Sequence, residues 1–197
     1  MKKNILSFFF FAFFISANAT SINVRILTTK VIQSFIFSPI VGTYDVYGDG
    51  ALLLNSDTPG IFQLSIDKDS IILKTFEHTV GKYGSLKMVS KQANGAFKIK
   101  SVVPEGKVRT YEDDVLVGLT ADKKQFLLIN TIDIEKYIGG VVESESGTRT
   151  SLEYYKLQSI LCRTHLLAHI NRHVLESFQV CDDVHCQAYL SRTTDTD

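Results

Sequence analysis

The sequence predicts an α+β protein in which a β-rich N-terminal part precedes one long helix. Short alternating apolar segments and glycine-containing turns fill the first two thirds of the chain, and helical periodicity appears only after residue 132. With 197 residues, 45% of them hydrophobic, the chain can bury a sizeable core. We therefore expect an N-terminal leader at residues 1–19, a β-rich part at 20–125 and a further domain at 126–197.

The charge balance and cysteine content exclude some classes of function. The 21 basic and 21 acidic residues give a formal net charge of zero, and no basic stripe is present, so nucleic acid is not an expected partner. Three cysteines are too few for a disulfide-stabilised scaffold.

The N-terminus has the pattern of a secretory signal peptide. Lys2 and Lys3 precede an almost wholly apolar run at residues 5–15, and Ala17 and Ala19 supply the small residues of a cleavage site. The run is shorter than the ~20 residues that span a bilayer, which disfavours a membrane anchor. We expect cleavage after Ala19, no stable membrane span afterwards, and a periplasmic or extracellular protein of the cell envelope.

The segment from residue 21 to residue 132 predicts a series of short strands. Residues 22–27 alternate apolar and polar side chains, as a half-buried strand does. The other predicted strands are residues 33–37, 43–47, 61–66, 70–76, 85–89, 96–103 and 126–132. Asn94 and Gly95 stand between two of these segments and predict a two-residue hairpin.

Helical signals follow. A short helix is predicted at residues 133–138 with Asp133 as its cap, and a long one from Thr150 to about Val174, where Thr150 and Glu153 would form a capping box. A glycine-flanked turn is expected at residues 139–147. The predicted apolar face of the long helix comprises Leu152, Tyr155, Ile160, Leu161, Leu167 and Ile170.

Taken in order, the motifs between residues 126 and 189 resemble the SpoIID/LytB family. The matching residues are Glu135 and Tyr137 on the short helix, Gly140, Val141, Val142 and Glu145 on the turn, Lys156, Gln158, Arg163 and Thr164 on the long helix, and Cys181, His185, Cys186, Gln187 and Tyr189 in the last segment. Each motif alone is weak, but their order and spacing together are specific.

This resemblance implies activity on peptidoglycan. The sporulation member of the family is a lytic transglycosylase that cuts glycan strands whose stem peptides have been removed, and other members enhance an N-acetylmuramoyl-L-alanine amidase. By position, Glu145 corresponds to the family's catalytic glutamate. The residues implied to bind or orient the substrate are Lys156, Gln158, Arg163, Gln187 and Tyr189.

One carboxylic acid suffices for this chemistry, because the C6 hydroxyl of the sugar replaces water as the nucleophile, unlike in most glycoside hydrolases. We expect Tyr137, Val141 and Val142 to bury part of the Glu145 carboxyl, as a general acid requires. Glu143 is the competing candidate: in an extended segment it would face the same side as Glu145, and the two could form a hydrolase pair. A solvated acidic loop is the third interpretation.

The resemblance also implies a structural zinc ion, because family members can carry zinc through a similar His/Cys group. Here His173, Cys181, His185 and Cys186 offer the ligand set of a closed tetrahedral site. Two alternatives stay open: a Cys181–Cys186 disulfide in an oxidising compartment, or histidines that simply lie on the surface. The recurrence of His165, His169 and His173 every four residues is interpreted as incidental, and Cys162 as a buried thiol.

Two features depart from the family pattern. Ser146 and Gly147 stand where the family commonly has Met-Pro, and only residues 190–197 follow Tyr189, where family domains continue into a further β-rich portion. The sequence therefore predicts an apparently truncated domain with exposed apolar surface. These departures keep two rival functions open: a non-catalytic peptidoglycan-binding module or amidase activator, and a zinc-stabilised scaffold without glycan contact.

Overall fold

The computed structural model describes residues 20–55, 60–147 and 149–190. The predicted signal peptide lies outside this range. The described residues form many strands and two α-helices, which confirms the α+β prediction.

The secondary structure follows this order along the chain. The strands are β1 Ser21–Ile26, β2 Ser34–Val41, β3 Tyr44–Gly48, β4 Ala51–Asn55, β5 Phe62–Asp67, β6 Ser70–Lys74, β7 Thr79–Tyr83, β8 Leu86–Ser90, β9 Ala96–Val103, β10 Val108–Glu112, β11 Asp114–Leu119, β12 Phe126–Asp133 and β13 Val180–Cys181. The helices are α1 Ile134–Ser146 and α2 Leu152–His169, followed by a short 3-10 helix at Val174–Glu176.

The strands form two sheets. One has the order β13-β1-β12-β11-β8-β3-β4, and the other has the order β10-β9-β2-β5-β6-β7. Aromatic side chains join their facing surfaces: the ring centroid of Tyr44 on β3 lies 5.3 Å from that of Phe37 on β2 and 5.8 Å from that of Phe97 on β9. All three rings are buried, so the core lies between the sheets.

Strand β1 pairs with two strands that are far from it in the sequence. It pairs antiparallel with β12 and parallel with β13, so Val24 lies opposite both Asn130 and Val180. The predicted β-rich part and the segment after residue 126 therefore share one sheet. This arrangement places α1, which follows β12 directly, and the Cys/His segment around β13 on the same scaffold.

The predicted strands are present, but the Asn94–Gly95 hairpin is wrong. β8 pairs with β3 and β11, whereas β9 pairs with β2 and β10, so this turn carries the chain from one sheet to the other. Alternation predicts a strand but not its partner. The sequence prediction also missed β4, β7, β10, β11 and β13.

The predicted short helix is much longer in the structure. Asp133 caps it as predicted, accepting hydrogen bonds from the backbone N–H groups of Glu135 and Lys136. The helix then continues through the expected glycine-flanked turn, because Val141 and Val142 gain burial on its inner face. It ends at Gly147, whose φ of 69° suits glycine.

Helix α2 differs from its prediction at its ends. Its N-cap is Ser151, whose hydroxyl accepts from the Tyr154 N–H group, and not Thr150. Glu153 makes no capping box and pairs with Lys156 instead. The helix stops at His169, and Val174 belongs to the separate 3-10 helix.

The predicted apolar face of α2 is largely wrong. Leu152, Ile160, Leu161 and Leu167 are each more than half exposed, whereas the buried residues are Cys162 and Leu166. Only one narrow face of α2 packs against the rest of the described structure. Tyr155 on the helix and Ile170 just after it are partly buried beside that face. Neither described helix is both long and apolar enough to cross a membrane.

Asn130 joins the sheet to the C-terminal segment. It is fully buried, its Nδ2 donates to the backbone oxygens of Glu112 and Asp114 at 2.8 Å each, and its Oδ1 accepts from the Tyr189 hydroxyl at 3.2 Å. We expect Asn130→Ala to lower the free energy of unfolding by about 3 kcal/mol in urea denaturation, because the buried Tyr189 hydroxyl and two backbone oxygens lose this partner. Asn171→Ala, at an exposed position, is the control. A loss below about 1 kcal/mol for Asn130→Ala would contradict this role.

Candidate functional site

Helices α1 and α2 pack together, and side chains of α2 contact both ends of α1. The Tyr155 hydroxyl donates to the backbone oxygen of Gly147 at 2.9 Å, and Arg163 forms an ion pair with Glu135 at the start of α1. The hydroxyl of Ser144 accepts from the backbone N–H of Leu190 at 3.0 Å, which ties the C-terminal segment to α1.

Glu145 lies in the last turn of α1 with an exposed side chain. Its Oε2 accepts a hydrogen bond from Gln158 Nε2 at 2.8 Å and lies 3.8 Å from the thiol of Cys162. The carboxyl borders a small concavity of about 190 Å³, which we call the Glu145 hollow. The residues lining it are Glu145, Gln158, Leu161, Cys162, His165, Cys186 and Gln187.

The residues predicted to form an apolar wall beside Glu145 are not the ones that do so. Tyr137, Val141 and Val142 are buried in the core and do not line the hollow. Because the segment is helical, its inner face turns these side chains away from the carboxyl. Leu161 and Cys162 of α2 supply the apolar contacts instead.

The helical conformation also removes the basis of the competing interpretation, in which Glu143 and Glu145 of an extended segment form a pair. In an α-helix, residues two apart lie about 200° apart around the axis, whereas in a strand they share a face. Glu143 accordingly does not line the Glu145 hollow. A hydrolase pair built from these two carboxylates has no support in the structure.

Cys162 and His165 are the residues of the hollow that the sequence interpretation missed. Burial, followed by the negative charge of Glu145, raises the pKa of the Cys162 thiol to about 11, so the thiol is neutral at pH 7. Burial, followed by His169 and Arg172, lowers the pKa of His165, which favours its neutral form. With Gln158, these residues stand at positions i, i+4 and i+7 of one helical face, a spacing that could have revealed them.

The remaining candidate residues divide into three groups. Gln187 is buried in the wall of the hollow, where its Nε2 donates to the backbone oxygen of Cys162 at 3.2 Å. Arg163 and Tyr189 act on the scaffold, Arg163 through Glu135 and Tyr189 through Asn130 in the core. Lys156 lies away from the hollow, with its Nζ 2.8 Å from Glu153 Oε1.

The four predicted metal ligands come together. One ligand atom from each of His173, Cys181, His185 and Cys186 lies within 4.8 Å of the others. Cys186 Sγ is 3.4 Å from His173 Nε2 and 3.7 Å from His185 Nδ1, and Cys181 Sγ is 3.9 Å from His185 Nδ1. Both cysteines are free thiols, so the structure contains no disulfide between them.

This geometry fits a tetrahedral zinc site. Zinc lies about 2.3 Å from sulfur and 2.0–2.1 Å from nitrogen, which places sulfur and nitrogen ligands about 3.6 Å apart. The observed separations bracket that value. The other ring nitrogen of His173, Nδ1, lies 2.7 Å from Glu176 Oε1, and such a carboxylate contact orients many metal-binding histidines.

The fold and the site together define a class of protein. In it, two helices follow a β-sheet scaffold, and a glutamate that accepts a hydrogen bond from a glutamine lies beside a Cys/His cluster. Residues 122–197 match the family model SpoIID, described as "Stage II sporulation protein". Over this part of the chain, the match confirms the resemblance to the SpoIID/LytB family inferred from the motifs. The domain supports a sporulation- or cell-wall-related protein. No curated protein and no solved structure matches the chain significantly.

Proposed function

We propose that the protein cleaves the glycan strands of peptidoglycan as a lytic transglycosylase, with Glu145 as its acid and base. The observation that carries this proposal is the Glu145 carboxyl, held by Gln158 at the edge of a concavity in a SpoIID domain. The substrate is a strand without stem peptides.

The proposed reaction needs one carboxyl group. The protonated Glu145 gives its proton to the glycosidic oxygen, and the bond from that oxygen to C1 breaks. The resulting carboxylate takes the proton of the C6 hydroxyl, whose oxygen bonds to C1 and closes a 1,6-anhydro ring. Within the described residues, no second carboxylate lines the hollow, which supports this route over one that activates water.

Because Glu145 is exposed in the free protein, the bound substrate itself must shield the carboxyl from water in this mechanism. A glycan strand lying over the hollow would exclude water from the carboxyl and favour its protonated form. Gln158 fixes the position of the carboxyl, and the neutral Cys162 thiol adds no charge beside it.

Digestion of amidase-treated sacculi tests the proposal. Release of products with 1,6-anhydro ends is the expected result, measured by chromatography and mass spectrometry. Reducing ends without the anhydro ring would indicate hydrolysis and contradict the proposed mechanism.

The size of the hollow favours a second candidate, a non-catalytic wall-binding module or amidase activator. Its volume of about 190 Å³ is below the 300–1,000 Å³ usual for small-ligand pockets. Binding to sacculi without product, or faster release of stem peptides by an added amidase, would support this function over cleavage.

We also propose that the Cys/His cluster holds a structural zinc ion. His173, Cys181, His185 and Cys186 would supply all four ligands and leave no open position for substrate. The ion would fix the segment that brings Cys186 and Gln187 to the Glu145 hollow. Its effect on the proposed reaction is therefore positional.

Export to the cell envelope completes the proposal, supported by the signal-peptide pattern before Thr20. We expect N-terminal sequencing of protein from the envelope fraction to begin at Thr20. Ala19→Arg should block this cleavage, because signal peptidase requires a small residue there. Protein of wild-type sequence that remains in the cytoplasm and begins at Met1 would contradict export.

A further inference from the structure

A second concavity, of about 430 Å³, shares no lining residue with the Glu145 hollow. Four parts of the chain line it: the turn after β1, the β9–β10 hairpin with its strand residues Ser101 and Arg109, the loop after Cys181, and the segment with Ala188 and Leu190. Lys30, Lys107 and Arg109 contribute its positive charges, and we call it the cationic cavity.

These three cations are not neutralised by direct ion pairs. Among the described residues, the side chains of Lys30, Lys107 and Arg109 have no hydrogen-bond or ion-pair partner. Arg109 is half-buried, which reduces the water available to solvate its guanidinium group. An anion entering the cavity would therefore meet donors that lack a protein partner.

Two carboxylates also line the cavity, but backbone donors occupy them. Asp182 is buried and accepts hydrogen bonds from the backbone N–H and hydroxyl of Thr28 and from the backbone N–H of Leu27. Asp183 accepts from the backbone N–H of Val184 at 2.7 Å. Three positive and two negative side chains leave a net charge of +1, which a singly charged ligand neutralises.

The turn that shapes the cavity is held in an uncommon conformation. Leu27 has a φ of 59°, a left-handed value that residues with a bulky side chain rarely adopt. Its backbone N–H is fixed by Asp182, at a sequence separation of 155 residues. This turn places Thr29 and Lys30 on the cavity wall.

We propose that the cationic cavity binds a monoanionic carboxylate attached to a short apolar group. Arg109, Lys107 and Lys30 would bind the carboxylate, and Leu27, Val184 and Ala188 supply the apolar contacts. The lactyl group of N-acetylmuramic acid, with one methyl and one carboxylate, has this chemistry. The choice of this sugar rests on the proposed function, whereas the charge argument does not.

Titration of the ¹⁵N-labelled protein with N-acetylmuramic acid tests the proposal. We expect shifts in the amide signals of the cavity residues that weaken with added salt, and none with N-acetylglucosamine, which lacks the lactyl group. Glycerol 3-phosphate distinguishes a phosphate site: tighter binding of this dianion than of N-acetylmuramic acid would overturn the carboxylate assignment.

Variants locate the binding site. The double variant Lys107→Gln and Arg109→Gln should weaken binding of N-acetylmuramic acid at least tenfold, because two charge-assisted contacts are lost. Lys74→Gln is the matched control, an exposed lysine on β6 of the same sheet, separated from β10 by three strands. Equal binding by the double variant, or a titration that leaves the signals of the cavity residues unchanged, would refute the proposal.

Glu145→Gln separates this inference from the proposed function. Because the cationic cavity does not include Glu145, N-acetylmuramic acid should shift the amide signals of the cavity residues in this variant as it does in the wild type. Normal binding without cleavage by the wild type would leave the cavity assignment standing and remove only the transglycosylase.

Discussion

Glu145→Gln is expected to lower the release of 1,6-anhydro products from amidase-treated sacculi by at least a hundredfold. Glutamine preserves the size of the side chain but cannot give the glycosidic oxygen a proton, and general acid–base catalysis contributes typically 10²–10⁴-fold. The measurement is the initial rate of product release at equal protein concentration. Because Glu145 is exposed, the thermal midpoint of the variant should match that of the wild type.

Glu143→Gln is the matched control, because it makes the same change two residues earlier on α1 and outside the hollow. This variant should keep most of its activity. Gln158→Leu removes the hydrogen bond to Glu145 and should lower kcat more than it raises KM, as expected for a positioning residue. Unchanged product release by Glu145→Gln would contradict the acid–base assignment.

Zinc removal is the second change with a large expected effect. The purified protein should contain one zinc per chain, measured by mass spectrometry of the metal. If the free zinc concentration is a thousandfold above the Kd, removing zinc with a chelator should lower the free energy of unfolding by about 4 kcal/mol. The physical reason is that the four ligands join the start of the 3-10 helix, β13 and the loop after β13, which are not held together in the unfolded chain.

The third cysteine provides the control for the zinc prediction. Cys186→Ser should lose the metal, whereas Cys162→Ser should retain it, because Cys162 lies outside the four-residue cluster. Glu176→Gln should weaken zinc binding about tenfold, the lower end of the effect usual for a carboxylate that orients a histidine ligand. Absence of zinc from wild-type protein prepared with added zinc would refute the site.

The sequence predicted the grouping of the His/Cys cluster better than it predicted the helices. Thiols and imidazoles are uncommon, so their grouping in residues 173–186 is informative even without a known conformation. The glycines near residue 140 indicated a turn, but the burial of Val141 and Val142 outweighs that local preference. Tertiary contacts, which the sequence pattern does not contain, decide this case.

Helix α2 shows a second limit of periodicity. Its apolar residues occupy most of the circumference, so the pattern predicts a helix without showing which side has a partner. In the structure the face with Cys162 and Leu166 is buried. This orientation of α2 places Gln158 within hydrogen-bonding distance of Glu145. The geometry of the candidate site therefore depends on an orientation that the sequence pattern leaves undetermined.

The position of β1 between β12 and β13 has a consequence for folding during synthesis. When residues 21–26 leave the ribosome, the segments that will pair with both of their edges, 126–133 and 180–181, have not yet been made. Such distant pairings slow folding, and unpaired strand edges favour association with other chains in the meantime. Both edges of β1 therefore stay available to chaperones until residues 180–181 have been added.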